Sequence, residues 1–545
     1  MPFSVPAIYR AHQEPILSCK RLHQTRDNVK LLFYKIPLTR LDDQGLIPAR
    51  MVANRTLQPY ILLPALGLRL DRRVESRAVC RLFQTIGTRG VQRLSGFCIL
   101  PDAPDVRMRV LDAIHPEGAT LVEMSAAAAV SLRARHPGIR IEPIRYFRTA
   151  VTTRPAIAKR PDTARRITLT VVSKSDGRPV GGATVVAFTD FAGHVGAQGK
   201  TNTKGDVRLA LGSGRKLDRL YVYPPRGFWG ALRRNLTVSS EMAVDLDPVD
   251  LSFTDALRYF YGQAGDGAGR GVKVGVIDTG IALDHPDLKV SGGENCVVGE
   301  NPEDFGDNGE GHGTHVAGII AARGRPPGGI RGIAPGAVIR SYRVFGKNAE
   351  GATNYAIAKA IDRAAADGCD LINMSLGGGE PDAATRSAIE EARSKGVLPI
   401  VAAGNEYRSP VSFPASESPA IAVSAMGRKG TFPSGSTETG DIAAPYGSDK
   451  NNFIAAFSNV GPEIDLTAPG VGVLSTVPGG YAPMSGTSMA CPAATGDAAK
   501  ILSGLGLILR MKRNAERSGA MAKALFGAAR SLGFEPRFEG QGILR

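Results

Sequence analysis

Three short segments in the second half of the 545-residue chain carry side chains able to act on one another. In VGVIDTGIALDHPDL, Asp278 ends an apolar run and Gly280 turns the chain. In GHGTHVAGIIAA, His312 stands just before an Ala/Ile stretch, and in MSGTSMACPAATG, Ser488 follows Gly486 and Thr487 at the start of another. A hydroxyl attacks a carbonyl well only as it loses its proton. An imidazole can take that proton, and a carboxylate can fix the imidazole tautomer and stabilise the imidazolium. A serine at a helix start also has backbone N–H groups around the reacting carbonyl. Each segment alone is weak. Asp-x-Gly occurs in many strand-ending turns, and Gly-Thr-Ser also reads as a helix cap. His312 and His315 together suggest a metal, but HExxH spacing and a nearby third ligand are missing. The signal is their conjunction and order.

That order, Asp then His then Ser, with these flanks and separations of 34 and 176 residues, resembles the subtilisin-like (subtilase) serine peptidases. Two further stretches fit. VAAGNE places Asn405 where the family keeps its oxyanion-hole amide. SLGGG, residues 375–379, resembles the extended strand that pairs with substrate backbone, which makes Ser375, Leu376, Gly377 and Gly378 substrate-binding candidates. The resemblance covers roughly residues 252–545, with GFEPRFEGQGILR as the closing segment. It implies a serine endopeptidase acting on polypeptides, with Asp278, His312 and Ser488 as the triad and no cofactor required. Asp287 matches a calcium-binding position of many relatives, yet RGRPPGGIRG lacks the Asn that usually completes that site, so calcium stays open and unsupported. The acidic loop ENPEDFGDNGEG reads as solvated rather than metal-binding. CPAATG departs from the family, with Ala493 and Ala494 where His or Val is common, and Cys491 reads as a small buried side chain that could confer sensitivity to bulky thiol reagents. Residues 427–453 read as an insertion beside the cleft. An alternative of another class is a catalytically restrained binding protein that uses its upstream parts. An acyl hydrolase is a third, since the same triad cleaves esters.

These side chains need elements to hold them. From about residue 252, short apolar runs (VKVGVID, DLINMSL, VLPIVAAG) alternate with helical stretches, which predicts an α/β domain whose parallel sheet has helices on both faces. Ligands in such sheets bind beyond the carboxyl ends of the strands. Upstream, residues 57–150 read as β-α-β-β-α-β, a ferredoxin-like α+β unit that resembles the family's prodomain and would serve as the chain's own inhibitor. Its closing strand, IRIEPIRYFRTA, would lead a tail into the cleft to pair with residues 375–379, with cleavage within residues 146–153. Residues 151–165 read as a linker. Residues 166–248, with alternating strands between Asp-Gly and Gly-Gly turns, read as a small antiparallel β-sandwich resembling carboxypeptidase-regulatory or transthyretin-like modules. Residues 1–56 read as a disordered leader, with translation starting at Met1 or Met51.

The composition sets outer bounds. Residues 1–165 hold 27 Lys+Arg against 13 Asp+Glu, and the rest hold 40 against 38, so the surplus of +16 sits almost wholly in the front. Such a front suits an acidic partner surface, nucleic acid or anionic lipid, and an Arg-rich bias is a better account of it than a nucleic-acid site. No run of 18 apolar residues exists, so no transmembrane segment is expected. The first residues are broken by Arg10, His12 and Glu14 before any signal-peptide core forms, and six scattered cysteines need no oxidation. Intracellular retention or unconventional export is the expectation.

Overall fold

The computed structural model describes residues 56–90, 97–100, 103–161, 165–211, 216–239 and 241–545; the leader expected over 1–56 lies, but for Thr56, outside them. In the front unit, β1 (Gln58–Leu63), α1 (Arg77–Gly90), β2 (Phe97–Leu100), β3 (Ala103–Ala113), β4 (Thr120–Met124), α2 (Ala126–Arg135) and β5 (Arg140–Pro143) follow one another. Their strands form an antiparallel sheet ordered β2-β3-β4-β1-β5. β2 lies in the second expected strand region, and the stretch after it, RVLDAIHPEGATLVEMS, holds the end of β3 and all of β4, so the sheet has one strand more than the expected series. The pleat sends neighbouring side chains to opposite faces. Leu62 and Val122 pack with Phe83 and Leu132 of the two helices, while Ile61, Leu63 and Leu121 pack with Tyr355, Ile361 and Ala388 of the C-terminal region. One face is therefore covered from within and the other by the domain that follows.

The expected closing strand is two strands. Pro143 has no N–H to donate to a ladder, and β6 (Tyr146–Thr149) joins a separate sheet described below.

The next module has β7 (Arg165–Ser173), β8 (Thr184–Asp190), β9 (Val195–Lys200), β10 (Asp206–Leu211), β11 (Lys216–Tyr223), β12 (Ala231–Thr237) and β13 (Glu241–Leu246). They form two sheets, β10-β7-β13 and β12-β11-β8-β9, with Leu169, Val171, Val185, Leu220 and Val244 in one shared core. The expectation of antiparallel strands fails at one place, since β13 runs parallel to β7. Trp229, 2% exposed, leaves this module and enters the main core of the C-terminal domain, its ring 5.6 Å from that of Phe253. Leu232 N donates to Gly435 O (2.9 Å) and Thr437 N to Gly230 O (3.1 Å), so the 427–453 segment is stitched to β12.

The C-terminal domain continues with α3 (Ala256–Tyr261), β14 (Lys273–Asp278), β15 (Val290–Asn295), α4 (His312–Ala321), β16 (Val338–Arg343), β17 (Ala352–Thr353), α5 (Asn354–Ala366), β18 (Leu371–Met374), β19 (Leu376–Gly377), α6 (Ala383–Ser394), β20 (Leu398–Ala402), β21 (Ile421–Arg428), β22 (Asn452–Ile454), β23 (Ile464–Pro469), β24 (Val473–Val477), β25 (Gly480–Met484) and α7 (Thr487–Ser503). The main sheet runs β15-β16-β14-β18-β20-β21-β22 with β23 on β21, and every pairing but β21 with β22 is parallel. Along β14, Val274 and Val276 face the core under α4 and α7, and Ile277 faces the one under α5 and α6. Among the described residues no helix is long and apolar enough to cross a membrane.

Candidate active site

The candidate side chains converge at the carboxyl ends of the strands. Asp278 is the last residue of β14, Ser375 follows β18, Asn405 lies three residues past β20, and His312 and Ser488 open α4 and α7. His312 Nδ1 donates to Asp278 Oδ1 at 2.7 Å, with both side chains buried. That contact requires the first turn of α4 to press against the strand end. A Cβ on Gly313 would lie 2.2 Å from Gly280 O and 3.1 Å from Asp278 Cβ, so only glycine fits there. With its Nδ1 proton on Asp278, the imidazole keeps Nε2 as an acceptor, buried and without a partner among the described residues. Ser488 Oγ donates to Ser375 O at 2.9 Å. Asn405 is clamped through Oδ1, which accepts from Thr487 N (2.9 Å) and Thr487 Oγ1 (3.0 Å). Its Nδ2 is thereby left buried and unpartnered among the described residues. Thr487 was missed in the sequence; its signal was its place directly before the serine.

The strand leaving the front unit occupies the cleft. β6 lies between β17 and β19, with Thr149 opposite Leu376, Arg148 opposite Gly377, and Phe147 opposite Ala352, all antiparallel. Ala150 N then donates to Ser375 O (3.1 Å), Ser488 N donates to Ala150 O (3.0 Å), and Thr152 N donates to Ser485 O (3.2 Å). Ser375, Leu376 and Gly377 thus hold this segment, whereas Gly378 N donates to Phe413 O. Phe147 is fully buried, its ring 5.8 Å from that of Phe413, and a Cβ on Gly379 would strike it at 2.5 Å. A Cβ on Gly486 would lie 2.6 Å from Ala150 O, so the glycine before Thr487 makes room for an incoming carbonyl.

Other candidate groups are accounted for locally. Asp287 Oδ2 accepts from Ile330 N and Tyr481 OH, both at 2.9 Å, and among the described residues no three His, Cys, Asp or Glu side chains are gathered that could hold a metal ion. In the acidic loop, Glu300 and Asp304 pair with the fully buried Arg343, and Asp307 accepts from Thr314 Oγ1 on α4. His315 Nε2 donates to Val473 O (3.1 Å) and Ala482 O (3.0 Å), bracing the β24–β25 hairpin, and burial pulls its pKa down to about 3. It is a structural histidine, held neutral.

A cleft that takes an extended chain main chain to main chain, with its carbonyl set on a helix-start N–H beside a serine, belongs to a hydrolase of polypeptides. Comparison with known proteins names the class. Residues 269–534 match the subtilase family. Over 246 residues the chain is 40% identical to subtilisin DY from Bacillus licheniformis, covering 44% of this chain and 80% of that protein. It is 41% identical to subtilisin BL from Lederbergia lenta over 234 residues, 43% of this chain and 77% of that one. With alkaline elastase YaB from Bacillus sp. (strain YaB) it shares 40% over 235 residues, 43% and 54% of the two chains. The chain belongs to the subtilase family and is a serine-type endopeptidase. The front unit and the two-sheet module precede the matched span.

Proposed function

We propose that Ser488 is the nucleophile, His312 its general base, Asp278 the group that orients His312, and Asn405 with the Ser488 N–H the oxyanion hole. The observation that carries this reading is the 3.0 Å bond from Ser488 N to Ala150 O, with the chain held on both sides of it. It makes the Ala150 carbonyl carbon the electrophile and the bond to Val151 the first to be cut. As Ser488 Oγ turns from Ser375 O, its proton passes to His312 Nε2 and the hydroxyl oxygen bonds to the carbonyl carbon. The carbonyl oxygen becomes an anion and gains Asn405 Nδ2, a donor with no other partner among the described residues. His312 then gives its proton to the Val151 nitrogen as the C–N bond breaks. Water next attacks the acyl-enzyme, its proton returning to Ser488 through His312.

On this reading residues 57–150 are a ferredoxin-like prodomain that inhibits the enzyme by lying in its cleft, and the β-sandwich of residues 166–248 stays on the mature enzyme. The alternative of a silent binding protein finds no support in the comparisons. The test uses the full chain and its Ser488→Ala variant, followed by intact mass, N-terminal sequencing and a fluorophosphonate probe. The wild type should yield a new N-terminus at Val151 and label on Ser488. The variant should stay one chain and take no label, and self-cleavage of that variant would sink the assignment.

A further inference from the structure

Beyond Ala150 the chain runs along a cavity of about 750 Å³ between the two-sheet module and the C-terminal domain. Its walls carry aromatic faces, carboxyl groups and two arginines, Arg219 and Arg226. The module supplies aromatic faces, Phe191, Tyr221 and Tyr223, with the two tyrosine rings stacked 5.9 Å apart. The 427–453 segment supplies carboxylates, Glu438 and Asp441. Glu438 is 6% exposed; its Oε1 accepts from Thr437 Oγ1 (3.1 Å), while Oε2 is buried with no partner among the described residues. Neither acid has an ion-pair partner among those residues, and burial pushes both carboxyl pKa values up. A buried acid without a counterion is costly unless something cationic arrives. Two cations already lie on the aromatic wall: the Arg219 guanidinium of the module sits 3.6 Å over the Phe191 ring, and that of Arg154 sits 4.6 Å over the Tyr223 ring. Arg154 is the fourth residue past the bond between Ala150 and Val151.

We propose that this cavity is a subsite for a cationic side chain, arginine above all, on the fourth residue after the bond to be cut in a polypeptide substrate. The proposal rests on the reading of Ala150 and Val151 as the cut pair. The Tyr223 ring face attracts a guanidinium, and Glu438 and Asp441 line the same cavity as carboxyl groups whose ionisation a nearby cation favours. An apolar residue would forgo the contact with the Tyr223 ring, and an acidic one would be repelled by the two carboxyl groups. The two-sheet module thereby becomes part of substrate selection on the leaving-group side of the cleft.

The test is a competition in one mixture of three quenched fluorescent peptides with the sequence of residues 146–158, YFRTAVTTRPAIA, carrying Arg, Ala or Glu at the position of Arg154. The ratio of kcat/KM values read this way does not depend on how much of the full-length enzyme is active. Arg should exceed Ala by about tenfold, the size of one ring contact plus through-space attraction to the two carboxyl groups, and Glu should fall below Ala. In the Glu438→Gln, Asp441→Asn double variant the Arg peptide should drop towards the Ala peptide. Cleavage of all three within about twofold of one another in the wild type would overturn the subsite alone, whether or not the double variant folds. An Arg preference that survives the double variant would overturn its assignment to these carboxylates. Absence of cleavage, or cleavage undiminished in Ser488→Ala, would instead remove the reading of the bond and nucleophile, and the subsite with it.

Discussion

If Asn405 completes the oxyanion hole, as proposed, Thr487 is the neighbour that aims it. Both Thr487 donors take the amide oxygen, so the Nδ2 end has only one use left. Asn405→Ala should lower kcat about 10²- to 10³-fold with little change in KM; the size is subtilisin's own, carried over to this relative. Steady-state kinetics on one peptide checks it, and a raised KM at constant kcat would make Asn405 a ground-state binder. His315 makes a different prediction. Folded, it stays neutral down to about pH 3, whereas unfolded it takes a proton near 6.5. Its contribution to stability is complete above pH 6.5 and is lost as pH falls towards 3. Urea unfolding of the wild type and of His315→Gln, which does not titrate, should diverge by about 2–3 kcal/mol between pH 7 and pH 4.5, the wild type losing more. Cys491 corrects an expectation. Its Sγ donates to Asn373 Oδ1 (3.2 Å) and Ile400 O (3.3 Å), and burial pushes the thiol up to about 12, so thiol reagents meet no thiolate. The residue types and order around Asp278, His312 and Ser488 were legible because each sits in a short motif. The Thr487 clamp and the Ser375 carbonyl were not, because a backbone acceptor leaves no pattern and the one sign of Thr487, its place before the serine, says nothing of Asn405.

At the scale of elements, β6 is the decisive piece. Sequence reading joined it to β5 because hydrophobic alternation continues through IRIEPIRYFRTA, and alternation cannot say which sheet a strand enters. Proline at 143 was the available sign of a break. The parallel sheet was far more legible, since fully apolar runs of β-branched residues have few other homes. Within β6, Phe147 carries most of the buried apolar surface, between Phe413 and the backbone at Gly379. Phe147→Ala should weaken the hold of the cleft on the tail by about 3–5 kcal/mol, less whatever the pocket recovers by collapse. After cleavage the front unit should leave the variant at least about tenfold faster than the wild type, as gel filtration over time would record. Equal release rates would place the affinity elsewhere in the front unit.

Across the whole molecule the front unit lies on α5 and α6. Arg140 reaches Ser387 Oγ at 2.9 Å, Lys359 meets Asp112 at 2.7 Å, and His115 meets Asp362 at 3.2 Å. Asp362, on α5, also receives Arg69 of the front unit, which gives part of the basic surplus an acidic counterpart within the same chain. Charge counting located that surplus but had no means of pairing it across nearly 300 residues. The two-sheet module is fastened by an apolar anchor instead. Trp229 sits in the same core as Phe432 and Val473. Trp229→Ala should cost about 3–5 kcal/mol and lower the melting of the peptidase domain itself, seen as one shifted transition in calorimetry. A separate low-temperature transition, with the main one unmoved, would mean that the module folds independently.

If the bond between Ala150 and Val151 is the first one cut, as proposed, the segment after it is held at both ends. Thr152 is bonded to Ser485, while Ala158 N and Lys159 N donate to His194 O and Gly196 N donates to Lys159 O, on the module that stays behind. When the bond between Ala150 and Val151 opens, the freed amine is therefore not diluted into solution. It remains beside the acyl-serine at the high effective molarity of a tethered reactant, and competes with water to remake the peptide it came from. Nicking of this chain becomes a reversible exchange between ester and amide, drawn forward only as fast as the front unit departs. On that reading the departure of one piece, rather than the chemistry of the cut, sets when the enzyme is born.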